Sequence, residues 1–223
     1  RDGRQREAVR CYAEAIRAHP QDARGWFDFA VAHQHSNSEL ALQFYQHGVK
    51  LDPSAFHYNQ LGVMLRVAAR HDEAAKRFAQ SSRLAPTDAD ALFNLGGTYE
   101  TLARHREALS TYRAALDVER KSEARIRNNM GNVLARMERW PEALSNYHEA
   151  LDADPDFPET PQNLAHVMEQ LDRIDEAVLH LEAAVRLLPE QAADLTARRV
   201  ALVEKRDEQR KAQRAAARRE QVN

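Results

Sequence analysis

The sequence has a single cysteine, Cys11, among 223 residues. One thiol cannot close an intrachain disulfide, and no Asn-x-Ser/Thr acceptor occurs. Together these point to a reducing intracellular compartment, the cytoplasm ahead of an organelle or a cilium. No apolar run approaches the roughly 18 residues that a membrane span needs, and no stretch of this sequence is expected to act as a signal peptide. Charge of one sign is lacking too: 32 Lys and Arg stand against 34 Asp and Glu, a net charge of -2. A nucleic-acid module defined by bulk positive charge is therefore not expected. Glycine is scarce, at seven residues, and no Gly-rich phosphate loop, Cys-x-x-Cys or His-Glu-x-x-His occurs. His33 and His35 are two apart on a predicted helix and face different ways, so they make no metal pair. Cys11 has no histidine beside it. No catalytic residue, metal or cofactor is assigned. The chain does not begin with Met and opens on half of a repeated unit, so it is expected to be an excerpt of a longer protein.

What the chain does have is a pattern that returns. The stretch from Ala89 to Arg120 reads as two short amphipathic helices, about Ala89 to Ala103 and Arg106 to Val118, joined by a tight turn. Gly96, Ala108 and Ala115 are small where a neighbouring helix must come close. Leu92, Leu95, Tyr99 and Tyr112 lie near them, which suits antiparallel packing of one helix into the grooves of the other. The series Ala108, Tyr112, Ala115, Arg120 recurs from Ala8, Ala41, Ala74, Ala143 and Ala177. Differences between successive alanine positions are 33, 33, 34, 35 and 34 residues. Self-similarity at this period marks a helical solenoid.

These residues resemble the tetratricopeptide repeat: a Trp or Leu, then Leu-Gly, an aromatic, and then Ala, aromatic, Ala and Pro at fixed offsets. Leu61-Gly62, Leu95-Gly96 with Tyr99, Met130-Gly131 and Trp26 carry the first helix of the motif, and the alanine series carries the second. The resemblance implies an all-α fold, a right-handed superhelical α-solenoid of helix pairs with a C-terminal capping and extended helix. Residues 1–22 would be the second helix of a truncated repeat, with Gly3 in the preceding turn. Five repeats would follow at about 23–54, 55–88, 89–123, 124–157 and 158–189, then a capping helix and charged arm at 190–223. Ser38 is expected to cap the second helix of the first full repeat, and Pro141 to sit harmlessly in the first turn of its helix. His71 and His105 recur at the same inter-helix turn as Trp140 and Ile174, which predicts a packing role. In the last repeat Ala165 replaces the glycine and Leu181 the aromatic, as in a degenerate terminal unit.

In this family the first helices line a concave groove. Matching positions from the Leu-Gly anchors gives Phe27, Val31, Phe56, Val63, Val67 and Phe93 as apolar groove candidates. Exposed, they would mark a partner site for a peptide or helix; buried, they would fill the seam between helices. Downstream the matched positions are polar: Asn128, Asn132, Gln162 and His166, with Arg125 and Arg136 beside Glu159 and Glu169. A row of amides, Asn94, Asn129 and Asn163, continued upstream by Gln60 and Asp28, could hold a peptide backbone or serve packing alone; Asn59 is a further groove candidate. That row resembles the asparagine ladder in the superhelix of O-linked N-acetylglucosamine transferase. Asn128 stands where a chaperone-binding carboxylate clamp would need lysine, so that sub-type is not expected. Groove charge alternates in sign, from Arg24 and Arg66 to Asp90 and Glu100, which is poor for tracking phosphates. In the C-terminal run after Val203, an Asp207–Lys211 pair is expected on a helix that either frays in solvent or contacts a partner. Two functional classes remain. One is a non-catalytic scaffold or adaptor within a multi-subunit assembly, with protein partners in the groove and at the C-terminal arm. The alternative is the targeting segment of a larger enzyme such as a glycosyltransferase.

Overall fold

The computed structural model of the chain describes residues 2–34 and 36–220, with side chains described over residues 7–34 and 36–217. All of its regular elements are helices: twelve α-helices and one 3-10 turn at Pro189–Gln191 among the described residues. They fall into two compact units, Arg1–Arg120 and Lys121–Asn223.

The first unit holds α1 (Asp2–Ala18), α2 (Ala23–His33), α3 (Ser38–Leu51), α4 (Ala55–Val67), α5 (His71–Leu84), α6 (Ala89–Thr101) and α7 (His105–Val118). Each helix packs against the next in order, and α4 also touches α6. The starts of α2, α3, α4 and α6 follow from short polar side chains that accept orphaned backbone N–H groups. Asp22 accepts from Arg24, Asn37 from Leu40, Ser54 from His57, and Asp88 from Asp90 and Ala91. Asn37, not Ser38, is thus the cap of α3; Ser38 is already its first helical residue. Gly3 lies within α1 rather than in a turn. In the pair that begins at Ala89, the first helix ends two residues earlier than its sequence suggests and the second starts one residue earlier, at His105.

The second unit holds α8 (Glu123–Arg136), α9 (Trp140–Ala153), α10 (Glu159–Gln170), α11 (Ile174–Leu187) and α12 (Ala192–Glu220). α8 packs on α9 and α10, α10 on α9 and α11, and α11 on α12. Pro141 is in the opening turn of α9.

Four of the inter-helix turns are the same object. Ala69, Ala103, Glu138 and Asp172 all have φ between 54 and 57°, the left-handed region. The next N–H, of Arg70, Arg104, Arg139 or Arg173, reaches back to a carbonyl five residues earlier at 2.8–2.9 Å. This is the Schellman closure, built on residues that carry a Cβ instead of glycine. The arginine that follows then forks onto a glutamate three residues on. Arg70 binds Glu73 at 2.7 and 2.9 Å, Arg139 binds Glu142 and Arg173 binds Glu176 at 2.6 Å twice each, and Arg104 binds Glu107 in the same way. These hydrogen bonds hold the carboxyls of Glu73, Glu107 and Glu176 below the usual carboxylate range. The first pair, one residue shorter in its turn, has no arginine–glutamate fork there among the described residues, and α3 is capped by Asn37.

The packing rule inferred from small residues holds inside each pair. A Cβ built on Gly96 would stand 2.7 Å from the Tyr112 ring, and one on Gly131 2.5 Å from Tyr147. Both tyrosines are essentially fully buried, each contributing about 1.5–3 kcal/mol by burial. In α10 and α11 the substitution is matched: Ala165 carries the extra methyl, Leu181 drops the ring, and both are fully buried. His71 and His105 are half-buried as the first residues of α5 and α7, each with Nδ1 enclosed and without a hydrogen-bond partner among the described residues.

α12 starts as a cover for α11. Leu195 and Leu202 are buried, with polar pairs beside them. Arg198 meets Glu169 at 2.7 Å, Arg199 meets Glu182 at 3.1 Å, and Lys205 meets Asp172 at 3.3 Å. Arg206 and Arg210 share Asp175. Asp207 pairs with Arg206 rather than with Lys211. The helix is therefore tied down as far as Arg210, about two turns beyond Val203, and only residues 211–217 are exposed throughout.

Candidate functional site

Helix α4 carries three of the apolar candidates of the first unit, Phe56, Val63 and Val67, on one stripe. Phe56, Asn59, Val63 and Val67 are spaced by three and four residues and lie on one face, a line of about 16 Å at the usual helical rise. Phe56 is 62% exposed and Val67 68% exposed. Val63 is half-buried and leans on the core. Val31, on α2, is 50% exposed. Asn59 accepts a hydrogen bond from the Asn94 amide of α6 at 3.2 Å. Phe93, beside Asn94, is half-buried with its ring centroid 5.9 Å from that of Tyr112.

Phe27 is not part of this surface. It is 7% exposed and lies flat on the His57 ring, with centroids 3.7 Å apart and planes 9° from parallel. Gly48 is the reason. Where other pairs place Ala or Ser, its missing Cβ leaves a slot that the Phe27 ring fills, 2.7 Å from where that Cβ would be. Asp28 stays exposed and Gln60 half-buried. Arg24 forks onto Asp22, at 3.1 and 2.9 Å.

In the second unit the polar candidates converge. Asn132, Gln162, Asn163 and His166 line one cavity of about 370 Å³ with Arg136 and Arg198. Tyr147 forms its wall and donates its hydroxyl to Asn132 at 2.7 Å. Arg198 was not legible as a site residue; it arrives from α12, and its ion pair with Glu169 holds it at the rim. Asn128 lies behind the wall, 4% exposed. Its Oδ1 accepts from Thr160 at 3.1 Å and from Asn163 at 2.9 Å, so it joins α8 to α10 instead of facing a ligand. Asn129 is half-buried and faces the Asn128 amide at 3.5 Å. The amide row is therefore partly used between helices: Asn94 and Asn163 each give an amide hydrogen to a neighbour. Arg125 and Glu159 are exposed, away from the cavity lining.

Chemically, this cavity offers guanidinium and amide donors, amide acceptors and an imidazole, a set suited to peptide groups and carboxylates. Elsewhere, His33 is bonded through Nδ1 to the Phe29 carbonyl at 2.9 Å, His35 lies outside the described residues, and Cys11 is exposed. Among the described residues no three metal-ligating side chains converge, and no helix is long and apolar enough to cross a membrane.

Family models described as tetratricopeptide repeat match residues 1–56, 53–121 and 134–198. No curated protein matches the chain significantly in sequence. Among solved structures, the chain is similar to YrrB, a TPR protein with an unusual peptide-binding site: 24% identity, 86% of this chain and 99% of that one, TM-score 0.66. It is also similar to MamA from Desulfovibrio magneticus RS-1 (18% identity, 76% and 97% covered, TM-score 0.69). A chain of the APC/C hetero-tetramer Cut9-Hcn1 matches at 19% identity over 88% of this chain and 40% of its own, with TM-score 0.66.

Proposed function

Because this chain belongs to the tetratricopeptide repeat family, we propose that it is a non-catalytic scaffold that binds a peptide or helix of a partner protein. The observation that carries the reading is the α4 stripe. Two large apolar side chains, Phe56 and Val67, lie more than 60% exposed on one helix face, with Val63 between them and an asparagine clasp beside them. Isolated exposed apolar residues are ordinary, but a row on one face suits the apolar face of an amphipathic segment. The second unit has its own candidate in its cavity, with Asn132, Gln162 and His166 for backbone groups and Arg136 and Arg198 for a carboxylate. The description of YrrB as a TPR protein with a peptide-binding site is consistent with this reading.

The test is peptide selection from a displayed random library on the purified chain, followed by affinity measurement with variants. Phe56→Ser with Val67→Ser is expected to weaken the selected peptides at least about tenfold, while the melting curve stays put, since both side chains already face solvent. Equal affinity in that folded double variant refutes the α4 assignment. Failure of His166→Ala with Gln162→Ala to affect any selected peptide removes the second-unit cavity as a peptide site.

A further inference from the structure

The strongest feature that the groove reading leaves unused lies in the first unit, where two cavities share Arg77. One, of about 400 Å³, is lined by α5 from Asp72 to Arg83 and by Tyr99 and Arg104. The other, of about 490 Å³, lies between α3, α4 and α5, with Lys50 and Tyr58 in its wall. Neither contains a groove candidate.

We propose that this band is a second binding site, for an extended acidic segment of a partner protein whose carboxylate or phosphate side chains meet Arg77. Three observations support it. Among the described residues half-buried Arg77 hydrogen-bonds only Gln80, at 2.9 Å, and its Nε is enclosed without an acceptor; Glu73, one turn back, acts on it through space while forking onto Arg70. The turn arginines of this protein each fork onto a glutamate, whereas Arg77 hydrogen-bonds a neutral amide and keeps donors for a further acceptor. Second, Lys76 and Arg83 line the same cavity exposed, against one lining carboxylate, Asp72. The nearby acids are already occupied: Glu73 by Arg70, and Glu107 by Arg104. Third, Arg77 separates two cavities, each too large for a single inorganic anion, and Lys50 extends the cationic band into the second. That calls for a chain carrying anions at intervals. Nucleic acid fits less well, because the Tyr99 face that could stack a base is covered by Arg104, 4.5 Å above the ring.

Fluorescence anisotropy of the full chain with two labelled probes tests the proposal: a decaglutamate peptide and a decamer alternating phosphoserine with alanine. At about 50 mM salt at least one is expected to bind, the tighter one identifying carboxylate or phosphate as the natural group. Lys76→Glu with Arg83→Glu, both on exposed side chains, is expected to weaken that probe about tenfold or more, and Arg77→Gln by a similar factor. Lys211→Glu with Arg214→Glu, on the exposed end of α12, is expected to leave affinity within about twofold. Circular dichroism confirms that each variant is folded. Binding of neither peptide, equal affinity in the Lys76/Arg83 variant, loss on reversing Lys211 and Arg214, or tighter binding of a single-stranded DNA decamer would each overturn it.

Discussion

Replacing Asn128 with alanine should cost stability, not ligand affinity. The side chain is 4% exposed, and its Oδ1 receives hydrogen bonds from the fully buried Thr160 and from Asn163. Truncation removes both bonds and leaves the Thr160 hydroxyl enclosed without its acceptor. Two bonds at about 1 kcal/mol each, plus part of the desolvation penalty of a stranded hydroxyl, give about 2–4 kcal/mol. For a chain of this size that lowers the melting temperature by roughly 5–15 °C. A repeat array need not unfold in one step, so the readout should be local. Trp140 opens α9 in the affected unit, and Trp26 belongs to the other. In a Trp26→Phe background, urea titration followed by Trp140 fluorescence reports the second unit alone. Asn163→Ala removes one of the two donors, and the Asn128→Ala/Asn163→Ala double variant completes a cycle whose coupling should be about 1 kcal/mol. A loss below about 0.5 kcal/mol for Asn128→Ala would refute the reasoning. So would a coupling indistinguishable from zero.

Two further outcomes follow from the packing. Gly131→Ala places a methyl 2.5 Å from the Tyr147 ring, whose hydroxyl is pinned by Asn132, so a loss of about 1–3 kcal/mol is expected in a thermal melt; adding Tyr147→Leu, the Ala165–Leu181 solution, should recover part of it. Burial and the neighbouring His148 hold the His180 imidazole below its usual value. The unfolded chain therefore binds the proton more readily, and stability should be complete above the unfolded pKa and fall as pH drops below it. His180→Asn should flatten the dependence of melting temperature between about pH 7 and 5, and an unchanged slope would refute the assignment.

The repeating helix pairs were legible because their signal is redundant: Ala108, Tyr112 and Ala115 say the same thing that Ala143, Tyr147 and Ala150 say. Site residues lack that redundancy. Asn59 and Asn128 hold the same repeat position, three residues before Gly62 and Gly131, and each meets an asparagine 35 residues on. Their fates diverge because Thr160 stands over Asn128 where the matching position opposite Asn59 is Ala91. One asparagine gains a second donor and is buried; the other stays half-exposed. Phe27 was displaced from the groove by a deletion of side chain in another helix, at Gly48. Arg198 enters its cavity from about 30 residues beyond the groove helices, and nothing local foretells that. The arginine–glutamate clamp was visible, at a constant offset after each glycine or alanine anchor, but a charge pair in a turn carries little weight until the left-handed residue before it is seen.

That clamp has a consequence for how such a chain can be edited. The left-handed residue, the arginine and its glutamate lie within five consecutive residues, so the closure of each turn travels with its own helix pair. A pair cut at the loops on either side would bring its hinge along and would require no rewriting of the turn after duplication, deletion or transplantation. The α2–α3 pair is the exception. Its shorter turn depends on Asn37, and its ring packing depends on His57 of the following helix, so it is the module least able to be moved alone.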